Sequence, residues 1–308
     1  MSPSAIARVE PATDRTDAVP RLKAAVIGTG ILGLDLAERL NASPLLSCAL
    51  VAGRSCSAGA LRRAAQLGCE ISSEGIAAVV RADVDVVFDA SSAEAHAAHW
   101  AALASADVLL VDLTPSSGGS MVTPTVNGVR AESDRHLSLV SCGGQAVLPV
   151  LNAIASNSER VEDVEVVTSV ASACVGPATR DNLDEYLAIT GYAVKRLTGS
   201  PGVKVLATIS PALPAPAFRA QITACAYGVR SAALSGAVEA AADAVRQYSP
   251  GYEVSALSVA DDLVRATVTV TARTGRLPAY AGNVEIINAA AVTLAERYAR
   301  YRKVGHSG

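Results

Sequence analysis

Ser141-Cys142-Gly143-Gly144-Gln145 places one thiol where an apolar segment gives way to a helix. Residues Leu137 to Val140 are predicted as a short strand. Ala146 to Ile154 are predicted as a helix, with Pro149 in its first turn, where a missing N–H is tolerated. A cysteine at a helix N-terminus meets unpaired backbone N–H groups and the positive end of the helix dipole. Both lower its pKa and favour the thiolate as a nucleophile. The two glycines allow close approach of a substrate, and their N–H groups suit an oxyanion. The commoner fate of a lone cysteine is burial in a tight turn, so the reading leans on a second feature upstream.

That feature is Gly28-Thr29-Gly30-Ile31-Leu32-Gly33, between the apolar run Lys23 to Ile27 and a helical stretch to Leu40. In a first strand-turn-helix unit this spacing is a dinucleotide fingerprint. Gly28 makes the tight turn, Gly30 admits the pyrophosphate, and Gly33 lets helix pack on strand. The anion then rests on the helix N-terminus. A second strand, Ser47 to Ala52, runs into Gly53-Arg54-Ser55 without the acid that commonly takes ribose hydroxyls. Arg54 and Ser55 suit a 2′-phosphate, so NADP stays open beside NAD; a solvated surface arginine is an equally good account of Arg54.

The elements that must position these groups alternate. Helices are expected over Ala58 to Leu67 and Gly75 to Arg81, and strands over Val84 to Phe88 and Val108 to Val111. Ser91, with Glu94 three residues on, reads as a capping box. Such alternation indicates a doubly wound parallel sheet, the Rossmann arrangement. Beyond Cys142 the strands lengthen (Val161 to Val170, Val203 to Ile209, Gln221 to Tyr227, Tyr252 to Val259, Val264 to Thr271). Helices are expected over Asn182 to Thr198, Ser231 to Gln247 and Val284 to Tyr301. Fewer crossovers predict a mixed or antiparallel sheet. The expected division is a disordered leader over 1–20, a dinucleotide-binding domain over 21–131, and a catalytic and dimerisation domain over 132–283.

Composition excludes other classes. In 308 residues, half hydrophobic, no apolar run approaches the roughly 18 residues of a membrane span. A net charge of −3 argues against nucleic acid as a partner. Six cysteines without C-x-x-C spacing disfavour zinc and disulfides and fit a reducing, cytoplasmic setting. Four histidines are too few and too dispersed for an obvious metal site, so no metal is expected. His96 is read as structural or supporting, His99, Trp100 and His136 as packing or surface, His306 as part of a polar tail. Asp112 is read as a turn cap, and Glu185, Tyr186 and Lys195 as ordinary helix residues.

Several motifs recur in a familiar order: the glycine turn, Phe88-Asp89-Ala90-Ser91-Ser92, Asp112-Leu113-Thr114-Pro115, Ser141 to Ala146, Gly176 to Asn182, and Pro278-Ala279-Tyr280-Ala281-Gly282-Asn283. From about residue 22 to 302 the chain resembles the acylating acetaldehyde dehydrogenases that work beside 4-hydroxy-2-oxovalerate aldolases. The resemblance implies a Rossmann domain joined to a glyceraldehyde-3-phosphate-dehydrogenase-like α/β domain, with the last helix (284–302) packing back on the first domain. It implies interconversion of aldehyde, coenzyme A and NAD with acyl-CoA and NADH. By position, Cys142 is the nucleophile that carries the acyl group as a thioester. Gly28, Thr29, Gly30, Ile31, Leu32 and Gly33 hold the cofactor. Cys174, Val175, Gly176, Pro177, Ala178, Thr179, Arg180, Asp181 and Asn182 form the loop near nicotinamide and substrate, and Asn283 contacts the cofactor. A homodimer and an aldolase-type partner are also implied.

Three departures stand out. Arg219 is followed by Ala220 where relatives commonly carry an acid. The stretch between Val259 and Leu277 is short. Cys174 and Val175 replace smaller or more polar residues. They imply a member specialised for an acyl group other than acetyl, working toward acyl-CoA reduction. Two alternatives remain: a catalytically impaired dinucleotide-binding partner of an aldolase, and a phosphorylating semialdehyde dehydrogenase, which would need a histidine base that this chain does not offer between His136 and His306.

Overall fold

The computed structural model describes residues 21–54 and 58–305. The expectations for residues 1–20, Ser55 and His306 lie outside the described residues. The first sheet is parallel and seven-stranded: β1 (Leu22–Ile27), β2 (Leu46–Ala52), β3 (Glu70–Ser72), β4 (Val86–Asp89), β5 (Leu109–Asp112), β6 (Ser120–Met121) and β7 (His136–Ser138). They pair in the order β3-β2-β1-β4-β5-β7-β6. Around them run α1 (Ile31–Ala42), α2 (Ala58–Gln66), α3 (Ile76–Arg81), α4 (Ala93–Leu103) and the one-turn α5 (Pro124–Asn127). β4 and β5 are buried along their whole length, as expected for strands covered on both faces. Period-two alternation divides their side chains. Val26, Phe88 and Val111 join one apolar cluster with Leu36 and Leu40 of α1. Ile27, Val87 and Leu110 join another with Val79 of α3 and Leu103 of α4.

The second half contributes α6 (Cys142–Ser156), β8 (Arg160–Ala171), the short α7 (Pro177–Asp181), α8 (Leu183–Thr198), β9 (Gly202–Ser210), β10 (Phe218–Tyr227), α9 (Ser231–Arg246), β11 (Tyr252–Ala260), β12 (Leu263–Val270) and α10 (Gly282–Gly305). The sheet order is β11-β12-β10-β8-β9, with β8 and β9 parallel and the remaining pairs antiparallel. The mixed sheet is as expected. Its inner face (Val164, Val166, Ile222, Ala224, Ala266, Val268) packs under Leu151, Val194 and Val238 from α6, α8 and α9. Its outer face keeps Glu165, Val167, Arg219, Gln221 and Thr267 partly or fully exposed.

α10 serves both cores. Ile286 packs into the core of the second sheet, while Ile287, Ala290, Ala291 and Leu294 pack into the cluster of Val26 and Phe88. A buried ionic network ties it to α1: Arg39 bonds Asp35 at 2.6 Å and Glu285 at 2.7 Å, and Asn288 Nδ2 donates to the Leu32 carbonyl at 3.0 Å. Glu285 is fully buried.

Two local expectations need correction. Ser92, not Ser91, caps α4 by accepting from the Ala95 N–H. Glu94 therefore sits one place too early for a reciprocal capping box. Ser91 instead turns back to Asp89, its hydroxyl 2.5 Å from Oδ1. α6 begins at Cys142 rather than Ala146, so Pro149 lies in the helix interior, where its missing N–H interrupts the backbone ladder. The short strands β3 and β6 carry too few residues to show a period.

Candidate active site

Ser141 is the cap of α6, and Cys142 is its first helical residue. The Ser141 hydroxyl accepts from the Gly144 N–H at 2.8 Å and meets Thr190 Oγ1 of α8 at 2.7 Å. The Gly144 donor is thereby spent, contrary to the expectation that both glycine N–H groups face a substrate. The N–H groups of Cys142 and Gly143 instead act on the sulfur. Just upstream, Val140 sits at φ 63°, a left-handed conformation that a β-branched residue rarely adopts. Strain of this kind is held where surrounding packing over-determines the turn. Val140 is buried, and a methyl on Gly144 would lie 2.8 Å from its side chain.

The cysteine packs against both apolar cores, at the seam between the two sheets. It keeps part of its surface open, yet protein crowds the sulfur. Burial pushes its thiol up to about 11, outweighing the lowering by Tyr186 and by the backbone N–H groups. This overturns the expectation of a depressed pKa: in the protein alone, desolvation of the thiolate wins over the helix terminus. Cys174 lies close enough that its charge would raise Cys142 further.

Tyr186 is the residue the sequence reading missed. It is 8% exposed, and its hydroxyl lies 3.9 Å from Cys142 Sγ and 3.3 Å from Thr168 Oγ1. A methyl group on Gly143 would collide with that hydroxyl, so this glycine is needed for the approach of the tyrosine. The spacing Tyr186–Thr190 was a readable signal. Residues four apart share a helix face, and both polar tips meet the Ser141-Cys142 turn. Ala220, where an acid was expected from relatives, is fully buried on the inner face of β10, in register with Thr168.

The glycine turn fits a dinucleotide. Gly28 has φ 123°, and a methyl there would stand 2.5 Å from the Ala90 carbonyl. On Gly33 a methyl would strike the Gly28 carbonyl, whereas on Gly30 it would meet nothing within 4 Å among the described residues. Gly30 caps α1 without any side-chain hydrogen bond, so the helix presents N–H groups to an anion. Thr29 packs against Gly53 at the end of β2, and exposed Arg54 follows. Asn283, in the first turn of α10, is nearly buried, and its Oδ1 has no partner among the described residues. An orphaned buried acceptor is the provision a ligand donor requires. Cys174 and Val175 are buried, Cys174 against Ala272 and Ala281. Burial raises the Cys174 thiol to about 11. Arg180 ties Gly176 to Asp181 back by donating to the Val175 carbonyl and Ser172 Oγ. Asn182 accepts from the Ala93 N–H at 2.8 Å, joining this loop to α4.

The histidines converge, which corrects the expectation of dispersal. Asp89 Oδ2 lies 2.9 Å from His96 Nδ1 and 2.8 Å from His99 Nδ1. His96 Nε2 lies 2.9 Å from His136 Nε2 and 3.3 Å from Asp112 Oδ2. Although burial opposes it, the bonds from His96 and His99 hold Asp89 well below the usual carboxylate range. Burial raises Asp112 to about 6 and lowers His136 to about 4. Asp112 does cap its turn, accepting from the Thr114 N–H and the Ser116 hydroxyl. His96 and His136 line a cavity of about 1460 Å³ between α4, the 115–123 loop and α8; Cys142 is not among its described lining residues.

Two family models match successive parts of the chain. The family model described as prokaryotic acetaldehyde dehydrogenase, dimerisation, matches residues 142–278. The semialdehyde dehydrogenase NAD binding domain model matches residues 23–130. An acetaldehyde dehydrogenase of Streptomyces griseus is 49% identical over 96% of both chains. One from Pectobacterium atrosepticum is 37% identical, covering 92% of this chain and 97% of its own. The crystal structure of aspartate semialdehyde dehydrogenase II from Vibrio cholerae superposes with a TM-score of 0.62 over 91% of this chain and 99% of that one. At 16% identity it shows a shared fold. Among the described residues no helix is long and apolar enough to cross a membrane.

Proposed function

The chain belongs to the prokaryotic acetaldehyde dehydrogenase family, and from that premise we propose that Cys142 carries the acyl group of a coenzyme A-acylating aldehyde dehydrogenase. The observation that carries this is the sulfur at the start of α6, at the seam of the two sheets, 3.9 Å from Tyr186 Oη. The Cys142 thiolate attacks the aldehyde carbonyl, forming a C–S bond and an alkoxide that the Cys142 and Gly143 N–H groups receive. NAD, when bound, accepts the hydride in this direction and returns it in the other. Loss of hydride from the tetrahedral adduct leaves a thioester on Cys142. The coenzyme A thiolate then attacks that carbonyl, and the bond to Cys142 breaks. Run backward, acyl-CoA is reduced to aldehyde.

Tyr186 supplies the polarity that Ala220 lacks. Its hydroxyl accepts from the thiol and, once the sulfur ionises, turns to donate to it, a charge-assisted contact stronger than a neutral one. Gly28 to Gly33 and Asn283 hold the cofactor, and Arg54 leaves NADP as an alternative. The buried Cys174 and Val175, which depart from the smaller or more polar residues of relatives, are the basis for reading an acyl group other than acetyl; acyl-CoA reduction as the working direction rests on family likeness and not on this wall. Residues 21–131 with α10 form the cofactor domain and 132–283 the catalytic and dimerisation domain. The open outer face of the second sheet supports a homodimer. The aldolase-type partner rests on family likeness and is checked by co-purification with such an aldolase.

The deciding experiment follows nicotinamide absorbance with acetyl-CoA and larger acyl-CoAs, using NADH and NADPH in turn. Parent protein turns over acyl-CoA, and Cys142→Ser loses at least about 10³-fold. Undiminished activity in that variant rejects the thioester route. A clear preference for acetyl-CoA rejects the specialised pocket and leaves the thioester intact.

A further inference from the structure

Beyond the cysteine site, the first domain holds a constellation of a different kind. Donor atoms of His96, Asp112 and His136 lie within 4.8 Å of one another, and all three residues are buried. They come from three elements, α4, the end of β5 and the start of β7. Each donor is oriented from behind. His96 Nδ1 is held by Asp89 at 2.9 Å, which leaves Nε2 facing the cluster. Asp89 is itself held by His99 Nδ1 and Ser91 Oγ. Asp112 is fixed by Ser116 Oγ at 2.5 Å and by the Thr114 N–H at 2.7 Å. The His136 ring stacks at 4.5 Å on Trp100, and a methyl on Gly119 would lie 2.7 Å from it. Two imidazoles and a carboxylate, with a carboxylate behind one imidazole, form the donor set and outer support that zinc sites use.

We infer that His96 Nε2, His136 Nε2 and Asp112 Oδ2 bind one divalent transition-metal ion, zinc by preference, with a fourth position open to the adjoining cavity. The spacing is close to that need. Tetrahedral ligands around zinc stand about 3.3 Å apart. The His96–Asp112 pair is at 3.3 Å, and the His96–His136 pair, at 2.9 Å, has to open by a few tenths of an ångström. Both histidines line the cavity, which supplies an entry path and room for a water ligand. The ion would clamp α4 to the strand ends beside the cofactor turn. It is separate from the acyl-transfer chemistry of Cys142 and does not rest on that assignment.

The test uses the full chain, stripped with a chelator, and zinc and cobalt(II) as probes. Calorimetry is expected to give one zinc ion per chain, and zinc to raise the melting temperature. Cobalt is expected to give the visible bands of a four- or five-coordinate nitrogen and oxygen site, without the near-ultraviolet band of a cobalt–thiolate bond. His136→Asn is expected to weaken zinc binding at least about 100-fold and to abolish the melting shift. Because Asp112→Asn also disturbs a turn, Ser116→Ala serves as a second variant, expected to weaken binding about tenfold through the carboxylate it orients. Circular dichroism checks that each variant is folded before titration. Absent zinc binding, a thiolate band, or unchanged affinity in a folded His136→Asn variant would each overturn the site.

Discussion

At Cys142 two opposing effects act on one sulfur. The N–H groups at the start of α6 and the Tyr186 hydroxyl favour the thiolate, while burial disfavours it, and burial is the larger. A thiol with a raised pKa is protonated and unreactive at neutral pH, and its reactivity grows as pH rises toward that pKa. Iodoacetamide labelling of Cys142 in cofactor-free protein is therefore expected to accelerate about tenfold per pH unit from 7 to 10, levelling near about 11. Peptide mass spectrometry reads the rate at that residue, and a profile flat below pH 9 contradicts the dominance of burial. Tyr186→Phe removes a donor to the sulfur, so its plateau is expected at still higher pH. The placement of the thiol at a helix start was legible in the Cys-Gly-Gly run, because turn chemistry is local. The thiol's ionisation was not, because desolvation is set by residues such as Tyr186 and Thr168 that are remote in the chain from Cys142.

At the scale of elements, the β1–α1 turn separates folding from binding. Gly28 has φ 123° and no room for a methyl group, whereas a methyl on Gly30 meets nothing among the described residues. Gly28→Ala is expected to cost about 1–3 kcal/mol of stability through strain alone. Gly30→Ala is expected to keep the melting temperature and to weaken NADH binding at least about tenfold, since its methyl intrudes where the pyrophosphate approaches. Fluorescence titration beside a thermal melt distinguishes the two; unaltered affinity in Gly30→Ala would remove the glycine turn from the cofactor site. The start of α6 was harder to read from sequence. Glycine has low helix propensity, so Gly143 and Gly144 suggested a turn outside the helix. The Ser141 cap and the close seat of Tyr186 over Gly143 override that propensity.

At the scale of the molecule, one helix and one bare sheet face carry the argument. Arg39 lies between Asp35 and Glu285 where α10 returns to α1. Arg39→Met leaves two buried carboxylates without their cation and is expected to cost about 3–5 kcal/mol in urea unfolding. A loss below about 1 kcal/mol would mean that the apolar contacts of Ile287, Ala290 and Leu294 hold α10 in place unaided. Val167 is half-exposed on the outer face of β8, in register with exposed Gln221. Val167→Arg is expected to leave the fold intact and shift sedimentation from dimer to monomer, because an unpaired cation is costly in a closed interface. Sedimentation unchanged by this variant places the dimer contact elsewhere.

The chain by itself determined most of the elements and the glycine turn after β1. Strand alternation, glycine spacing and the apolar runs of β1, β4 and β5 are short-range signals, each contained within a few turns of backbone. Tertiary structure decided everything that depends on residues distant in sequence. It set the sulfur between two cores and brought Tyr186 against it. It also drew His96, Asp112 and His136 into one buried cluster from three separate elements. No period or motif links positions 96, 112 and 136. They meet because β7 pairs with β5 so that His136 lies opposite Leu110, two residues before Asp112, while α4 packs over that face of the sheet, and only the folded strand order brings those elements together.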